Sequence, residues 1–137
     1  MVFHVLLSIL QCEKLIKDGI INIDYRYIPI SDEEHAGNAK YVSIIDENSL
    51  DFCLLDGAYR EFCALKVVEK LKPGALLIID NVNWYLPSNS YSPSSRTVAD
   101  GPKGPIWKEV DRLINDWRRI WTSSGVTDTA LFIKPCF

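Results

Sequence analysis

The sequence has little glycine and contains no glycine-rich turn. It has seven glycines in 137 residues, and no two of them are spaced as G-x-G. This excludes the usual dinucleotide-binding fingerprint, in which closely spaced glycines let the backbone approach a phosphate. The four cysteines lack C-x-x-C spacing, and no serine lies in a G-x-S-x-G turn. Zinc-ribbon and thioredoxin-like motifs and the nucleophile elbow of hydrolases are therefore absent.

The sequence also lacks an excess of positive charge and a long apolar run. Fifteen basic residues against 18 acidic ones give a net charge of −3, so we expect no nucleic-acid partner. The apolar start MVFHVLLSIL is shorter than the roughly 20 residues that span a bilayer and has no basic flank, so we expect no membrane partner. Cysteines within apolar segments suggest buried thiols and a cytoplasmic location.

Two apolar segments joined by a helical pattern are the most informative part of the chain. LDFCLLD ends at Asp56 and ALLIID ends at Asp80, which Asn81 follows. The segment between them has apolar residues at helical spacing and reaches Lys-Pro-Gly at residues 72–74, which predicts that the helix stops there. The pattern predicts a βαβ unit, whose parallel strands end at the same edge of a sheet. We therefore expect Asp56, Asp80 and Asn81 to lie close together.

The flanking segments complete a mixed α/β pattern. The pattern of residues 1–18 predicts a helix that ends at Gly19. Residues 21–30 are predicted to form a strand, and residues 39–46 are predicted to form a short helix. Residues 106–119 predict an amphipathic helix that carries the basic pair Arg118 and Arg119, and the segment RIWTSSGVTDTALFIKP predicts a β-hairpin. Residues 81–105 form a long irregular segment, and loops of this length in a compact domain are often functional.

The D-G, L-K-P-G-A and L-L-I-I-D-N motifs together resemble the second half of class I S-adenosylmethionine-dependent methyltransferases, and the likeness extends over residues 20–137. The resemblance implies a Rossmann-like, mainly parallel α/β sheet with a C-terminal antiparallel hairpin. It implies S-adenosylmethionine as cofactor and methyl transfer to an oxygen of a small-molecule or sugar acceptor. The glycine-rich cofactor motif and the acid of the following strand are missing, so we expect one domain over residues 1–137, truncated by the fold's first strands.

The resemblance also implies a metal and a catalytic residue. Acids and an amide at these two strand ends bind a divalent metal in catechol-type O-methyltransferases, and Asp56, Asp80 and Asn81 match those positions. Oxygen ligands of this kind suit Mg²⁺ or Ca²⁺. Asp80 is the residue we expect to act in catalysis, by lowering the pKa of the acceptor together with a metal or as a base. The alternative is structural: Asp56 begins a D-G turn and caps a helix, and Asp80 and Asn81 start a loop.

Cofactor and substrate contacts are predicted on both sides of these strand ends. By the resemblance, Ser31 and Asp32 follow the strand that ends near the adenine, and Asp56 is a further cofactor contact. Three aromatic residues follow the second strand where an acceptor would bind, and their rings offer rigid apolar contact with a polar tip. In the alternative interpretation the first two of them anchor the loop. The three are Trp84, Tyr85 and Tyr91.

A second function remains open from the sequence. Without the glycine turn, the chain can be a catalytically inactive methyltransferase fragment that serves as an oligomeric or partner-binding module. If the first strands are missing, the LDFCLLD strand is an apolar sheet edge, and native proteins cover such edges. The apolar segment MVFHVLLSIL offers more surface than one helix face can bury, which leads us to expect a homodimer.

Overall fold

The computed structural model of the chain describes residues 4–5, 9–20, 24, 40–57 and 59–137. Its elements are β1 (His4–Val5), α1 (Ile9–Lys17), α2 (Lys40–Ser43), β2 (Leu50–Leu55), α3 (Arg60–Lys70), β3 (Leu71–Asp80), a 3₁₀ turn (Val82–Trp84), α4 (Gly104–Ile114), β4 (Arg118–Ser123) and β5 (Asp128–Ile133).

The strands of the described residues form one five-stranded sheet in the order β1-β2-β3-β5-β4. The first three strands are parallel, and β5 is antiparallel to both β3 and β4. Consequently β4 runs in the same direction as β2 and β3, and β5 alone is reversed. This is the predicted Rossmann-like, mainly parallel sheet with a C-terminal antiparallel hairpin, and the prediction of fold class is confirmed.

The predicted βαβ unit is present, but its helix ends differently. The last helical residue is Lys70, and Leu71 already has extended backbone angles (φ −74°, ψ 135°). Pro73 and Gly74 lie inside β3, where the pairing register with β2 shifts and Gly74 adopts a φ of +79°. A shifted register with a glycine at positive φ is typical of a β-bulge. The prediction that Lys-Pro-Gly terminates the helix was therefore wrong by two residues, and the motif lies at a bulge inside β3.

The N-terminal segment differs more from the prediction. His4 and Val5 form a short strand that pairs in parallel with Cys53 and Leu54 of β2, and helix α1 begins only at Ile9. The prediction of a helix over this whole segment was wrong. β2, which the sequence predicted to be an apolar edge of the sheet, pairs at Cys53 and Leu54 with this N-terminal strand of the same chain. Unpaired backbone groups along that edge favour an added strand, and β-branched valine suits one. The strand predicted for residues 21–30 lies outside the described residues, apart from Asp24.

The last helix is shorter than predicted. Helix α4 ends at Ile114, and Arg118 and Arg119 begin β4 instead of extending the helix. Trp117 lies in the intervening turn and is buried, and its backbone N–H donates to the Ile114 carbonyl. Its apolar side chain continued the helical pattern in the sequence, but it fills the core from a turn.

The core lies between the sheet and helices α3 and α4 and includes the predicted buried thiols of Cys53 and Cys63. Burial, followed by the nearby Cys63, raises the pKa of the Cys53 thiol to about 12, so this side chain behaves as a small apolar group. In the part of the chain that the structure describes, each helix is too short or too polar to cross a membrane.

Candidate functional site

Two strand ends meet at the carboxyl edge of the sheet. β2 and β3 are parallel neighbours, and Leu55 pairs with Ile79. Asp56 therefore follows β2 next to Asp80, which is the last residue of β3, and Asn81, which comes directly after it. The topology brings together the three residues that the sequence predicted to converge, at the edge where open α/β sheets bind their ligands.

The residue that connects these strand ends is Arg60, which the sequence analysis did not single out. Its Nη2 donates to Asp56 Oδ1 at 2.9 Å. Its Nη1 donates to Asn81 Oδ1 at 2.9 Å and to the Asp80 carbonyl at 3.1 Å. The i,i+4 spacing of Asp56 and Arg60 at a helix start was the one signal in the sequence that could have indicated this ion pair.

The guanidinium of Arg60 is buried against an aromatic ring. The side chain is only 11% exposed, while that of Asp56 is 55% exposed. The guanidinium carbon lies 5.9 Å from the ring centroid of Tyr85, within the range of a cation–π contact. Its Nε is buried and has no acceptor among the described residues. The site thus holds a positive charge in a fixed position, and the Nε–H of Arg60 can donate one further hydrogen bond.

Backbone strain surrounds this cluster. Tyr59 (φ 57°) and Asn81 (φ 53°) both adopt the left-handed conformation, one before α3 and one after β3. Asparagine tolerates that region, whereas a bulky tyrosine adopts it at a cost of about 1–3 kcal/mol. Strained residues of this kind concentrate where a side chain must be held in a fixed direction, and here they flank the Arg60 guanidinium.

The structure does not support the metal predicted at Asp56, Asp80 and Asn81. Among the described residues, no group of three His, Cys, Asp or Glu side chains could hold a metal ion. Asp56 and Asn81 already bind the cation of Arg60, and Asp80 Oδ1 accepts a hydrogen bond from Thr129 Oγ1 at 2.7 Å. A guanidinium therefore supplies the positive charge at these positions.

The predicted cofactor contacts are described only in part. Asp56 has an exposed carboxylate, and a Cβ built on Gly57 would meet no atom within 4 Å. An exposed acid beside open space can accept hydrogen bonds from a hydroxyl or an ammonium group, so these residues fit S-adenosylmethionine at one point. Ser31 and Asp32 lie outside the described residues, and a glycine turn to cradle the cofactor does not occur in the sequence.

The three aromatic residues predicted to contact substrate have different environments. Tyr85 stacks on Trp107 with ring centroids 4.8 Å apart, and Lys103 Nζ lies 5.5 Å from its centroid. Trp84 meets Tyr85 edge-on at 6.4 Å and is 39% exposed. Tyr91 is fully exposed. The contacts of Tyr85 match the anchoring alternative, while the whole side chain of Tyr91 is exposed to solvent.

A second polar centre, also missed by the sequence analysis, lies around Asp128 at the start of β5. The residue is fully buried, its Oδ1 accepts from Ser92 Oγ at 2.6 Å, and its Oδ2 accepts from Trp121 Nε1 at 2.8 Å. Burial raises the pKa of this carboxyl, but hydrogen bonds from Ser90, Ser92, Trp121 and Ser123 outweigh it and lower the pKa to about 2. A carboxylate stabilised in this way is a weak base and a strong structural anchor.

The long loop after β3 is held in place by Asn83. This buried side chain accepts from the Asp128 N–H at 3.0 Å and donates to Ser95 Oγ at 3.1 Å. Its backbone carbonyl accepts from the N–H of Arg96 at 2.9 Å. The segment between β3 and α4 is therefore ordered by buried polar contacts, although it has little regular secondary structure.

Comparison with known proteins gives solved structures only. No protein-family profile and no curated protein matches the chain. An O-methyltransferase family protein from Burkholderia thailandensis is similar over 91% of this chain and 40% of its own, with 10% identity and a TM-score of 0.49. A SAM-dependent methyltransferase from Methanosarcina mazei is similar over 69% of this chain and 63% of its own, with 14% identity and a TM-score of 0.35. The chain thus spans less than two thirds of either protein, and the description of its fold rests on its own strand order.

Proposed function

We propose that this protein is a class I methyltransferase-like enzyme that binds a small-molecule acceptor at the carboxyl edge of its sheet and takes part in methyl transfer to an acceptor oxygen. The observation that carries the proposal is the strand order β1-β2-β3-β5-β4 with β5 alone reversed. It corresponds to strands 1-4-5-7-6 of the fold that the sequence motifs resemble. The polar cluster around Arg60 lies at the edge where that fold binds its ligands.

Within this proposal Asp80 accepts the proton of the acceptor hydroxyl. Its Oδ1 is held by Thr129 and its backbone carbonyl by Arg60. Among the contacts of the described residues, none involves Oδ2, so this oxygen is available to an acceptor. A base must lie within hydrogen-bond reach of the proton that it removes, and a carboxylate fixed at one oxygen meets that requirement at the other.

The positive charge of Arg60 supports the same role. It lies at the ends of both strands, where an acceptor oxygen would develop negative charge as its proton leaves. A fixed buried cation stabilises such charge more strongly than water does, because it requires no reorganisation. S-adenosylmethionine would supply the methyl group, and Asp56 is the described residue that would contact it.

The experiment is a transfer assay with S-adenosylmethionine labelled in its methyl group and a panel of phenolic, catecholic and sugar acceptors. We expect labelled product with the native chain and a loss of roughly 100-fold with Asp80→Asn, in line with the usual contribution of a general base. Asp116→Asn, an acid-to-amide change at an exposed residue, is the matched control and should leave the rate unchanged. Equal rates for Asp80→Asn and the native chain would exclude the role of Asp80.

A second candidate function is favoured by the missing glycine turn and by the contacts of Arg60, whose ion pair with Asp56 and hydrogen bonds to Asp80 and Asn81 already satisfy polar groups at the strand ends. It is a catalytically inactive methyltransferase-like module that binds a partner or a second copy of itself. Calorimetry with S-adenosylmethionine and its demethylated product separates the two. A low-micromolar dissociation constant, about −8 kcal/mol, supports the enzyme. Absence of both binding and transfer supports the module.

A further inference from the structure

A recess separate from the Arg60 cluster lies between the long loop and the C-terminal hairpin. Its volume is about 540 Å³, within the range of roughly 300–1,000 Å³ that is usual for small-molecule sites. We call it the serine cleft. The residues of its lining that carry the argument are Ser88, Ser90, Tyr91, Ser92, Arg119 and Trp121.

One wall of the serine cleft is a face of the hairpin. Arg119, Trp121 and Ser123 occupy alternate positions along β4, so all three side chains lie on the same face of the strand. The Arg119 guanidinium carbon lies 5.7 Å from the Trp121 ring centroid. This face therefore presents an aromatic ring with an exposed cation beside it.

The other wall is the serine-rich part of the loop, and its shape is fixed from below. The Ser90 and Ser92 N–H groups donate to Ser88 Oγ and Ser90 Oγ at 3.2 and 3.1 Å. Ser92 Oγ lies 2.8 Å from Ser123 Oγ and donates to buried Asp128. Both walls are thus tied to one buried carboxylate. The position of both walls is therefore fixed by the fold. Ser92 and Trp121 donate hydrogen bonds to the Asp128 carboxylate, which would otherwise be costly to bury.

The groups left for a ligand define its chemistry. Tyr91 is fully exposed at the cleft, and in the described contacts the Ser88 hydroxyl accepts a hydrogen bond but donates none. Aromatic rings offer an apolar face with a polar tip, which matches the alternating C–H face and hydroxyl rim of a sugar ring. Arg119 adds the cation that pairs with a carboxylate or phosphate.

We propose that the serine cleft binds a sugar that carries a negative charge, such as a uronic acid or a sugar phosphate. The ring packs on Tyr91 and Trp121, hydroxyls bond to the serines, and the acidic group pairs with Arg119. The identification of this sugar as the methyl acceptor rests on the proposed function, but its binding does not. The Asp80–Thr129 hydrogen bond and the adjacent Asp128 place the cleft at the same edge of the sheet as the Arg60 cluster.

The test is calorimetric or NMR titration of the full chain, without S-adenosylmethionine, against glucuronate, glucose 6-phosphate, glucose and inorganic phosphate. We expect one of the two charged sugars to bind with a dissociation constant of about 1 mM or lower, and glucose and phosphate to bind at least roughly tenfold more weakly, as expected when both ring and charge contribute. Binding by glucuronate alone identifies a uronic acid, and binding by glucose 6-phosphate alone identifies a phosphosugar.

The chain offers a matched pair of variants. Arg119→Gln should weaken binding of the charged sugar by about tenfold or more, because it removes the ion pair. Arg118→Gln makes the same charge change on the opposite face of β4, and we expect no effect. Tyr91→Ala should weaken binding several-fold. Because the Tyr91 side chain is fully exposed, its removal should not affect folding, so misfolding would not explain the loss of binding.

Three results would overturn the inference. They are no binding of either charged sugar up to about 10 mM, equal binding of glucose or phosphate and the charged sugars, and equal losses in Arg118→Gln and Arg119→Gln. Binding of a charged sugar without any methyl transfer would keep the inference and contradict the proposed function. Transfer to another acceptor without sugar binding would do the reverse.

Discussion

Asp128→Asn should destabilise the protein more than any other acid-to-amide change in its described part. The carboxylate is fully buried and accepts from Ser92 Oγ and Trp121 Nε1 at 2.6 and 2.8 Å. Hydrogen bonds to a charged group contribute about 1.5–3 kcal/mol each. Asparagine keeps one acceptor oxygen but places an NH₂ group against the remaining donors. We therefore expect the free energy of unfolding to fall by about 3 kcal/mol.

The same residue makes a prediction about pH. Asp128 has a pKa of about 2 in the folded protein against 3.8 for an ordinary aspartate. A lower pKa in the folded state means that the carboxylate adds stability above the unfolded pKa and loses it as pH falls through the folded pKa. We therefore expect ionised Asp128 to contribute about 2 kcal/mol to the free energy of unfolding, and this contribution should disappear as the pH falls from about 4 to about 2.

The assays are urea unfolding and thermal unfolding, each followed by tryptophan fluorescence and circular dichroism, for the native chain, Asp128→Asn and the control Asp116→Asn. At pH 7 the loss of about 3 kcal/mol should lower the melting temperature by about 10 °C in a domain of this size. The difference between the native chain and Asp128→Asn should shrink as pH falls from 4 to about 2, while Asp116→Asn stays near the native value. A loss below about 0.5 kcal/mol at pH 7, or a difference that does not change with pH, would refute the reasoning.

Three further predictions concern Arg60, the bulge in β3 and assembly. Arg60→Met should lower the free energy of unfolding by about 2 kcal/mol, because it leaves the partly buried oxygens of Asp80 and Asn81 without this donor. Arg112→Met removes only an exposed ion pair and should cost less than about 1 kcal/mol, so equal losses in urea unfolding would contradict the structural role of Arg60. Gly74→Ala should cost about 1 kcal/mol or more because of its φ of +79°, whereas Gly57→Ala, which meets no atom, should be nearly neutral in the same assay. Light scattering after size-exclusion chromatography should show a homodimer if residues 1–10 expose as much apolar surface as their composition suggests, and a stable monomer at micromolar concentration would contradict it.

Four of the described strands could be predicted from the sequence, because each has a clear local pattern. β2, β3 and the hairpin of β4 and β5 are short apolar or β-branched runs bounded by turn residues, and such runs form strands in most contexts. The convergence of Asp56 and Asp80 was also predictable, because parallel strands joined by one crossover must end at the same edge.

Element boundaries were less predictable where a local pattern had two structural solutions. Trp117 fits the apolar stripe of a helix, yet it fills the core from a turn after Ile114. Pro73 and Gly74 are typical helix terminators, yet they occupy a bulge in β3. In both cases packing against the rest of the core decided between alternatives of similar local energy.

The sequence by itself determined the βαβ unit and the hairpin, because side-chain periodicity and turn residues act over a few neighbouring positions. Only the tertiary structure decided how the polar residues pair. Arg60 meets Asn81 across 21 positions, and Asp128 meets Ser92 across 36. Contacts over such distances depend on which strands become neighbours. Burial then fixes them, since each charge must find its partners once water is excluded.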